Sequence, residues 1–147
     1  MVRFRPFEPG DVVAIDLQPS QRTSTEQLAL PMSLEYGEQI AASGPAWTAI
    51  DADGRILCCA GIGTVFPGHG VAWALLSANV GAAHVSITRF ARALIAQCEY
   101  RRLEALVDAA NDRACRWAEL VGLVPSPHPL RNWGPACDTR ILFERIR

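Results

Sequence analysis

The sequence predicts a single mixed α/β (α+β) domain over residues 1–147, with a mostly antiparallel central sheet and helices on both faces. Three observations lead there. First, the middle of the chain reads as strands separated by tight turns. "AWTAI" and "RILCCAGIGTVF" flank "DADG", an Asp-Gly hairpin signal, and "PGHG" then leads into "VAWALLS". Second, "HVSITRFARALIAQCEY" repeats apolar residues at helical spacing. Third, "LEALVDAANDRACRWAELVGL" runs from a buried strand through a cap into a short helix. The expected order is β-α-α-β-β-β-α-β-α-β-β. A chain of 147 residues suits one domain, and at that size roughly 70% of the unfolded surface can be hidden.

Each element has a local reason. "VRFRPF" alternates, so Val2, Phe4 and Phe7 face inward, and Pro6 and Pro9 end the strand or keep it at an edge. "EPGDVVAIDLQ" suits a short helix capped by Asp11, with Val12, Ile15 and Leu17 toward the core. "PSQRTSTEQ" is polar and reads as a loop. Pro31 suits a first helical position, Leu34, Ile40 and Ala41 can share a face, and Ser43-Gly44-Pro45 stops that helix. Val71–Ser77 is apolar on both faces, which places it centrally with cover on both sides. In the next helix Ile87, Phe90, Ala91, Leu94, Ile95 and Cys98 form the inner face. Leu103–Asp108 is a buried strand, and Asn111 stands where a helix N-cap belongs. Asp112 suits the positive end of the helix dipole and can pair with Arg116. Ala114, Trp117, Ala118 and Val121 make the inner face, and Gly122 sits at the C-cap. Pro125, Pro127 and Pro129 break the chain before "TRILFERI", an alternating final strand.

Composition excludes several classes. A net charge of -1 offers no basic face for nucleic acid. Five cysteines, at 58, 59, 98, 115 and 137, lack the paired spacing of a zinc or redox site. Cys58 and Cys59 are adjacent in a strand and so point to opposite faces. All five read as small buried hydrophobes in a reducing compartment, with no metal expected. The first residues carry no long apolar run, and no stretch is apolar enough to span a bilayer. The expected location is cytoplasmic.

The run Val107, Asn111, Ala114, ending in Gly122-Leu123, resembles the fifth strand and fourth helix of the GNAT superfamily of N-acetyltransferases. The likeness extends back over the strand meander and forward over "PLRNWGPACDTRILFERI", covering nearly the whole chain. More narrowly, "SGPAWTAIDADGRILCCAG", "AWALLS" and "RNWGPACD" look like small GNAT-like proteins of phages and prophages. The resemblance implies that the fourth and fifth strands part and admit the pantetheine arm of acetyl-CoA. Backbone donors of the fourth strand would then lie near Leu75, Leu76 and Ser77, and the pyrophosphate would sit at a helix start over Gly81, Ala82, Ala83 and His84. Asn111 would hydrogen-bond the pantetheine.

The sequence departs from that pattern in two places. The window Asn79–His84 has Asn79 where the family carries Arg or Gln, and Ala82 and His84 where it carries small residues, glycine first. The tyrosine that serves many members as general acid falls at Ala118. "VAWALLS" carries no carboxylate, which leaves His84 as the candidate catalytic group, beside its plainer roles as helix-start residue or phosphate ligand. Trp73 and Trp117 read as core, and Trp133 as a loop aromatic. Arg113 and Arg116 read as solvated charges near the gap. Two functions follow from the resemblance. One is an acyl-CoA-dependent N-acetyltransferase acting on a small-molecule or peptide amine. The other is a catalytically inactive phage or prophage structural or interaction protein, which would be virion-associated. The sequence leaves the oligomeric state open; proteins of the fold that the resemblance implies often dimerise, so a homodimer is one of the assemblies it allows.

Overall fold

The computed structural model describes all residues, Met1–Arg147. One eight-stranded sheet runs through it. In chain order the strands are β1 (Arg3–Pro6), β2 (Ala46–Ile50), β3 (Ile56–Phe66), β4 (His69–Leu76), β5 (Arg102–Asp108), β6 (Val124–Pro125), β7 (Leu130–Trp133) and β8 (Asp138–Ile146). The helices are α1 (Asp11–Ala14), α2 (Pro19–Gln27), α3 (Leu34–Ser43), α4 (His84–Gln97) and α5 (Asp112–Leu120), with a 3-10 turn at Gly81–Ala83. The spatial order is β1-β2-β3-β4-β5-β8-β6, and β7 pairs with β8. Every pairing is antiparallel except β4 with β5. A parallel pair needs a crossover, and α4 supplies it.

The core lies on both faces of this sheet. Leu76, Cys58, Leu57 and Ala49 pack with Ile87 of α4 on one side. Leu75 and Cys59 pack with Phe7, Val12, Ile15 and Leu17 on the other. A third cluster joins Leu103 and Phe143 to Ala91 of α4 and to Ala118, Val121 and Leu123 around α5. Strand alternation thus sends neighbouring residues, Leu75 and Leu76 or Cys58 and Cys59, into different cores.

Several expectations hold. Asn111 caps α5: its Oδ1 accepts from the Ala114 N–H at 3.0 Å. Gly122 takes φ +106, the left-handed conformation expected after that helix. In the first hairpin Gly54 takes φ +79, and Asp51 Oδ1 accepts from the amides of Asp53 and Arg55.

Others are corrected. The polar run "PSQRTSTEQ" is not a loop but α2, with Pro19 in its first turn. It has no buried residue, so no apolar stripe announces it, and its polar side chains supply its contacts with the sheet. The next helix begins at Leu34, capped by Ser33, whose Oγ accepts from the Tyr36 N–H, and Pro31 lies outside it. Ile40 packs on the core while Leu34 and Ala41 are exposed, so the shared face is absent. Asp11 does not cap α1 through its own helix amides. It is buried and takes a bidentate pair from Arg5 at 2.8 and 2.9 Å, plus the Thr48 hydroxyl at 2.7 Å. β4 ends at Leu76, and Ser77 forms an isolated bridge with Leu17. The Pro-rich segment adds the short strand β6. Cys137 is exposed and Cys98 and Cys115 are half-buried, so only Cys58 and Cys59 are core hydrophobes. Asp112 and Arg116 are both exposed and form no ion pair, since solvent and side-chain entropy offset so weak an attraction.

Candidate functional site

The two central strands part company after three residues. β4 and β5 pair only at His69–Arg102, Gly70–Leu103 and Val71–Glu104. Beyond that point each strand follows its other neighbour: β4 stays with β3 up to Leu76, and β5 stays with β8 up to Asp108. The wedge between them opens into a cavity of about 1130 Å³ whose wall includes Ala74, Leu76, Leu106 and Asp108. That volume is of the size that accommodates a drug-sized or larger ligand.

Strand parity decides which backbone groups face the wedge. The Ser77 amide donates to the Leu57 carbonyl at 2.9 Å, toward β3. Alternation turns the Leu75 amide the same way. Neither is therefore a donor into the wedge, which corrects the expectation for both residues. Leu76 does face it. Its amide donates to Gln21 Oε1 of α2, and its carbonyl accepts from the Gln18 N–H at 3.0 Å. Gln21 Nε2 in turn donates to the Ala74 carbonyl at 2.8 Å. One glutamine amide thus pairs with β4 much as a strand edge would, and α2 occupies the rail along this part of the wedge. On the opposite arm, the Ala109 amide donates to Thr139 across β8, so by alternation Leu106 and Asp108 turn their amides to the wedge.

The 3-10 turn at Gly81–Ala83 leads directly into α4 at the other end of the cavity. Gly81 takes φ +47, and a Cβ there would meet nothing within 4 Å. Gly81 and Ala82 are exposed, and neither amide takes part in the turn and loop hydrogen bonds, whereas the Ala83 amide donates to the Val80 carbonyl. Free amides at a helix start favour an anion. Asn79 turns away: its Nδ2 donates to Asp16 at 3.4 Å.

His84 opens α4 and lines the cavity. Its Nδ1 lies 3.2 Å from Thr88 Oγ1, and its ring meets Trp117 edge-on with centroids 5.7 Å apart. Trp117 Nε1 donates to the same Thr88 oxygen at 2.8 Å. The imidazole is thus oriented by a hydroxyl that an indole already holds, and its Nε2 makes no hydrogen bond within the chain. Asn111 also lines the cavity, and its Oδ1 is used by the cap, which leaves the amide Nδ2 for a ligand. Ala118, at the family's tyrosine position, is 5% exposed and offers no acid. Trp73 packs edge-on against Phe7 and also lines the cavity. Arg113 lines it too, whereas Arg116 and Trp133 do not.

Two cavity residues were not marked by the sequence. Gln21 lies in the polar run whose composition predicts a loop. Arg140 of β8 is 2% exposed, and it looked like an ordinary charged position in an alternating strand. Both act through contacts far apart in the chain, so no local signal marks them. No group of three or more His, Cys, Asp or Glu side chains is placed to hold a metal ion. No helix is long and apolar enough to cross a membrane.

No protein-family model matches the chain, and no curated protein does. Solved structures do. A GCN5-related N-acetyltransferase from Kribbella flavida matches with a TM-score of 0.70 at 15% identity, over 99% of this chain and 98% of that one. A ribosomal-protein-S5-alanine acetyltransferase from Vibrio fischeri matches with a TM-score of 0.68 at 15% identity, over 99% and 92%. A GNAT-family acetyltransferase from Bacillus anthracis matches with a TM-score of 0.68 at 12% identity, over 99% and 94%. Such identities speak to architecture alone, and the parted β4 and β5 agree with it: the chain has the fold of the GNAT N-acetyltransferases.

Proposed function

We propose that the protein is an acyl-CoA-dependent N-acetyltransferase that acetylates a primary amine. The observation that carries this reading is the wedge between β4 and β5, with Gly81, whose amide is free at a helix start, in the wall of the cavity it opens. Acetyl-CoA fits this donor set: Gly81 and Ala82 would receive the pyrophosphate, Asn111 Nδ2 an amide of the pantetheine, and the Leu76 amide the thioester oxygen once Gln21 withdraws. The bound cofactor supplies a thioester whose carbonyl a neutral amine attacks, expelling the thiolate. His84, with Nε2 unengaged, is the chain's candidate to take the proton from the amine. Without a hydroxyl at Ala118 the thiolate would draw its proton from solvent.

Calorimetry with acetyl-CoA, followed by thiol release in the presence of an amine panel, tests the reading. Saturable heat and thiol release support it. No heat at millimolar acetyl-CoA rejects it.

A second reading has its own support. Gln21 pairs with the strand edge that pantetheine would use, and the family's tyrosine is absent. A chain that kept the fold and lost turnover, such as a phage or prophage structural or interaction protein, would show those features. Acetyl-CoA binding without acetylation of any amine in the panel favours this second reading.

A further inference from the structure

The hydroxyl of Thr88 has three polar neighbours and one proton to give. Its Oγ1 lies 2.7 Å from the His84 carbonyl, one turn back in α4. It lies 2.8 Å from Trp117 Nε1 of α5 and 3.2 Å from His84 Nδ1. A hydroxyl offers one donor and two lone pairs. A carbonyl carries no proton, so the 2.7 Å contact between two oxygens holds only if the Thr88 proton lies within it. The indole nitrogen can only donate, so it takes the first lone pair. The second lone pair is left for His84 Nδ1, which therefore carries a proton of its own.

That arrangement fixes the ring. A neutral imidazole has a proton on one nitrogen only, so Nε2 is bare. Nε2 makes no hydrogen bond within the chain. His84 and Trp117 both line the cavity, whereas Thr88 is not part of its wall, so Thr88 acts on the ring and not on a ligand. Threonine in a helix divides between two rotamers, and the Trp117 N–H holds the one that faces His84. A bare Nε2 has no proton to share with a phosphate and suits a group that takes one up. When it does so, Nδ1 keeps its proton and its bond to Thr88, and nothing in the network has to turn.

We propose that Thr88, held by Trp117, is the positioning residue that fixes His84 as the Nδ1–H tautomer and leaves Nε2 as the proton acceptor of the cavity. This rests on the transferase reading for the source of the proton. An N–H bond of the amine breaks, an Nε2–H bond forms, the electron pair stays on the amine nitrogen, and the imidazolium later releases the proton to solvent. The tautomer itself is testable without turnover.

Two-bond proton–nitrogen correlation spectra of the full chain distinguish an N–H nitrogen from a bare one in each imidazole. The chain has three histidines, His69, His84 and His128, and His84→Gln identifies the His84 signals by their loss. Where His84 is neutral, Nδ1 should be the protonated nitrogen. Thr88→Val removes the hydroxyl at similar shape, and the ring should pass largely to the Nε2–H form that a free imidazole side chain favours. Thr88→Ser should keep Nδ1–H. Thr88→Val also leaves the Trp117 N–H without its partner, so the double variant Thr88→Val, Trp117→Phe removes both groups and should show the same change of tautomer. In turnover, Thr88→Val should lower kcat roughly fivefold with acetyl-CoA affinity little changed, and Thr88→Ser should restore it. A native ring protonated at Nε2 overturns the inference, even if the chain acetylates amines. A ring that stays Nδ1–H in both valine variants overturns it too, as does a change of tautomer that leaves kcat untouched. The expected tautomers in a chain that gives no heat with acetyl-CoA sustain the positioning of His84 and reject the transferase.

Discussion

The Leu76 amide, on the edge of β4 that faces the wedge, is capped by the side-chain oxygen of Gln21. The same glutamine donates to the Ala74 carbonyl. Three residues on, Ser24 meets Arg140 on the far side of the cavity. Residues three apart share one face of a helix, so α2 ties both arms of the wedge from one short polar surface. An open strand edge that would otherwise meet water is thereby satisfied from within the chain.

Gln21→Ala should expose that edge. Two hydrogen bonds go, at about 1 kcal/mol each, so the melting temperature falls. Acetyl-CoA affinity should rise by about tenfold, because the cofactor no longer has to displace the side chain. Calorimetry checks both arms. Affinity that is unchanged or lower means that Gln21 does not compete with the ligand.

Asn111 has two roles that one substitution can separate. Serine also caps helices well, so Asn111→Ser should keep stability near the native value, whereas Asn111→Ala should cost about 1 kcal/mol. Both lose Nδ2, so both should bind acetyl-CoA about tenfold more weakly. Equal binding by Asn111→Ser and the native chain would reduce this residue to a cap.

His84→Gln addresses proton transfer. A general base contributes on the order of 100-fold or more, so kcat should fall by about that factor with acetyl-CoA affinity little changed. The opposite pattern, weak binding with intact kcat, would move His84 into the phosphate cradle at the start of α4.

Acid should weaken the fold through Asp11. Burial alone would raise this carboxyl, but hydrogen bonds from Arg5, the Glu8 amide and Thr48 hold it below its ordinary value. Its folded pKa is depressed, so the stabilisation is present above the unfolded value, about 3.9, and fades as the pH drops through the folded one. Glu104, held low by Arg102 and then His69, contributes with the same sign. Melting followed from pH 7 downward should show a loss below about pH 4, and Asp11→Asn should be less stable at neutral pH and flatter in acid. A native chain whose melting does not respond to acid contradicts this.

Thiol labelling should follow burial. Cys58 and Cys59 are buried, and burial pushes the Cys59 thiol up to about 12 and the Cys58 thiol higher still. The thiolate is the reactive form, so an alkylating agent at mildly alkaline pH should modify exposed Cys137 first and leave Cys58 and Cys59 untouched until the chain unfolds. Mass spectrometry of the digested protein reads the order. Early modification of Cys58 would contradict the packing described above.

Much of the fold was legible because its signals are local. Asn111 with Gly122 bounded α5, the Asp51–Gly54 turn placed the first hairpin, and the helical stripe through Ile87 and Ala91 placed α4. α2 was not legible, since a helix that buries no side chain has no apolar period to display.

The site divides along the same line. The helix starts at Asn111 and His84 follow from local signals, because caps and periodicity act between residues a few positions apart. The Ser77 and Leu75 amides turn into the sheet and the Leu76 amide toward the wedge because of the register with β3, which is set by packing between distant segments. Tertiary packing also brings Gln21 to β4 and Arg140 to the cavity wall, in contacts that span 55 and 116 positions. Such pairings are set by how whole elements pack, and the side chains that make them look ordinary until their partners arrive.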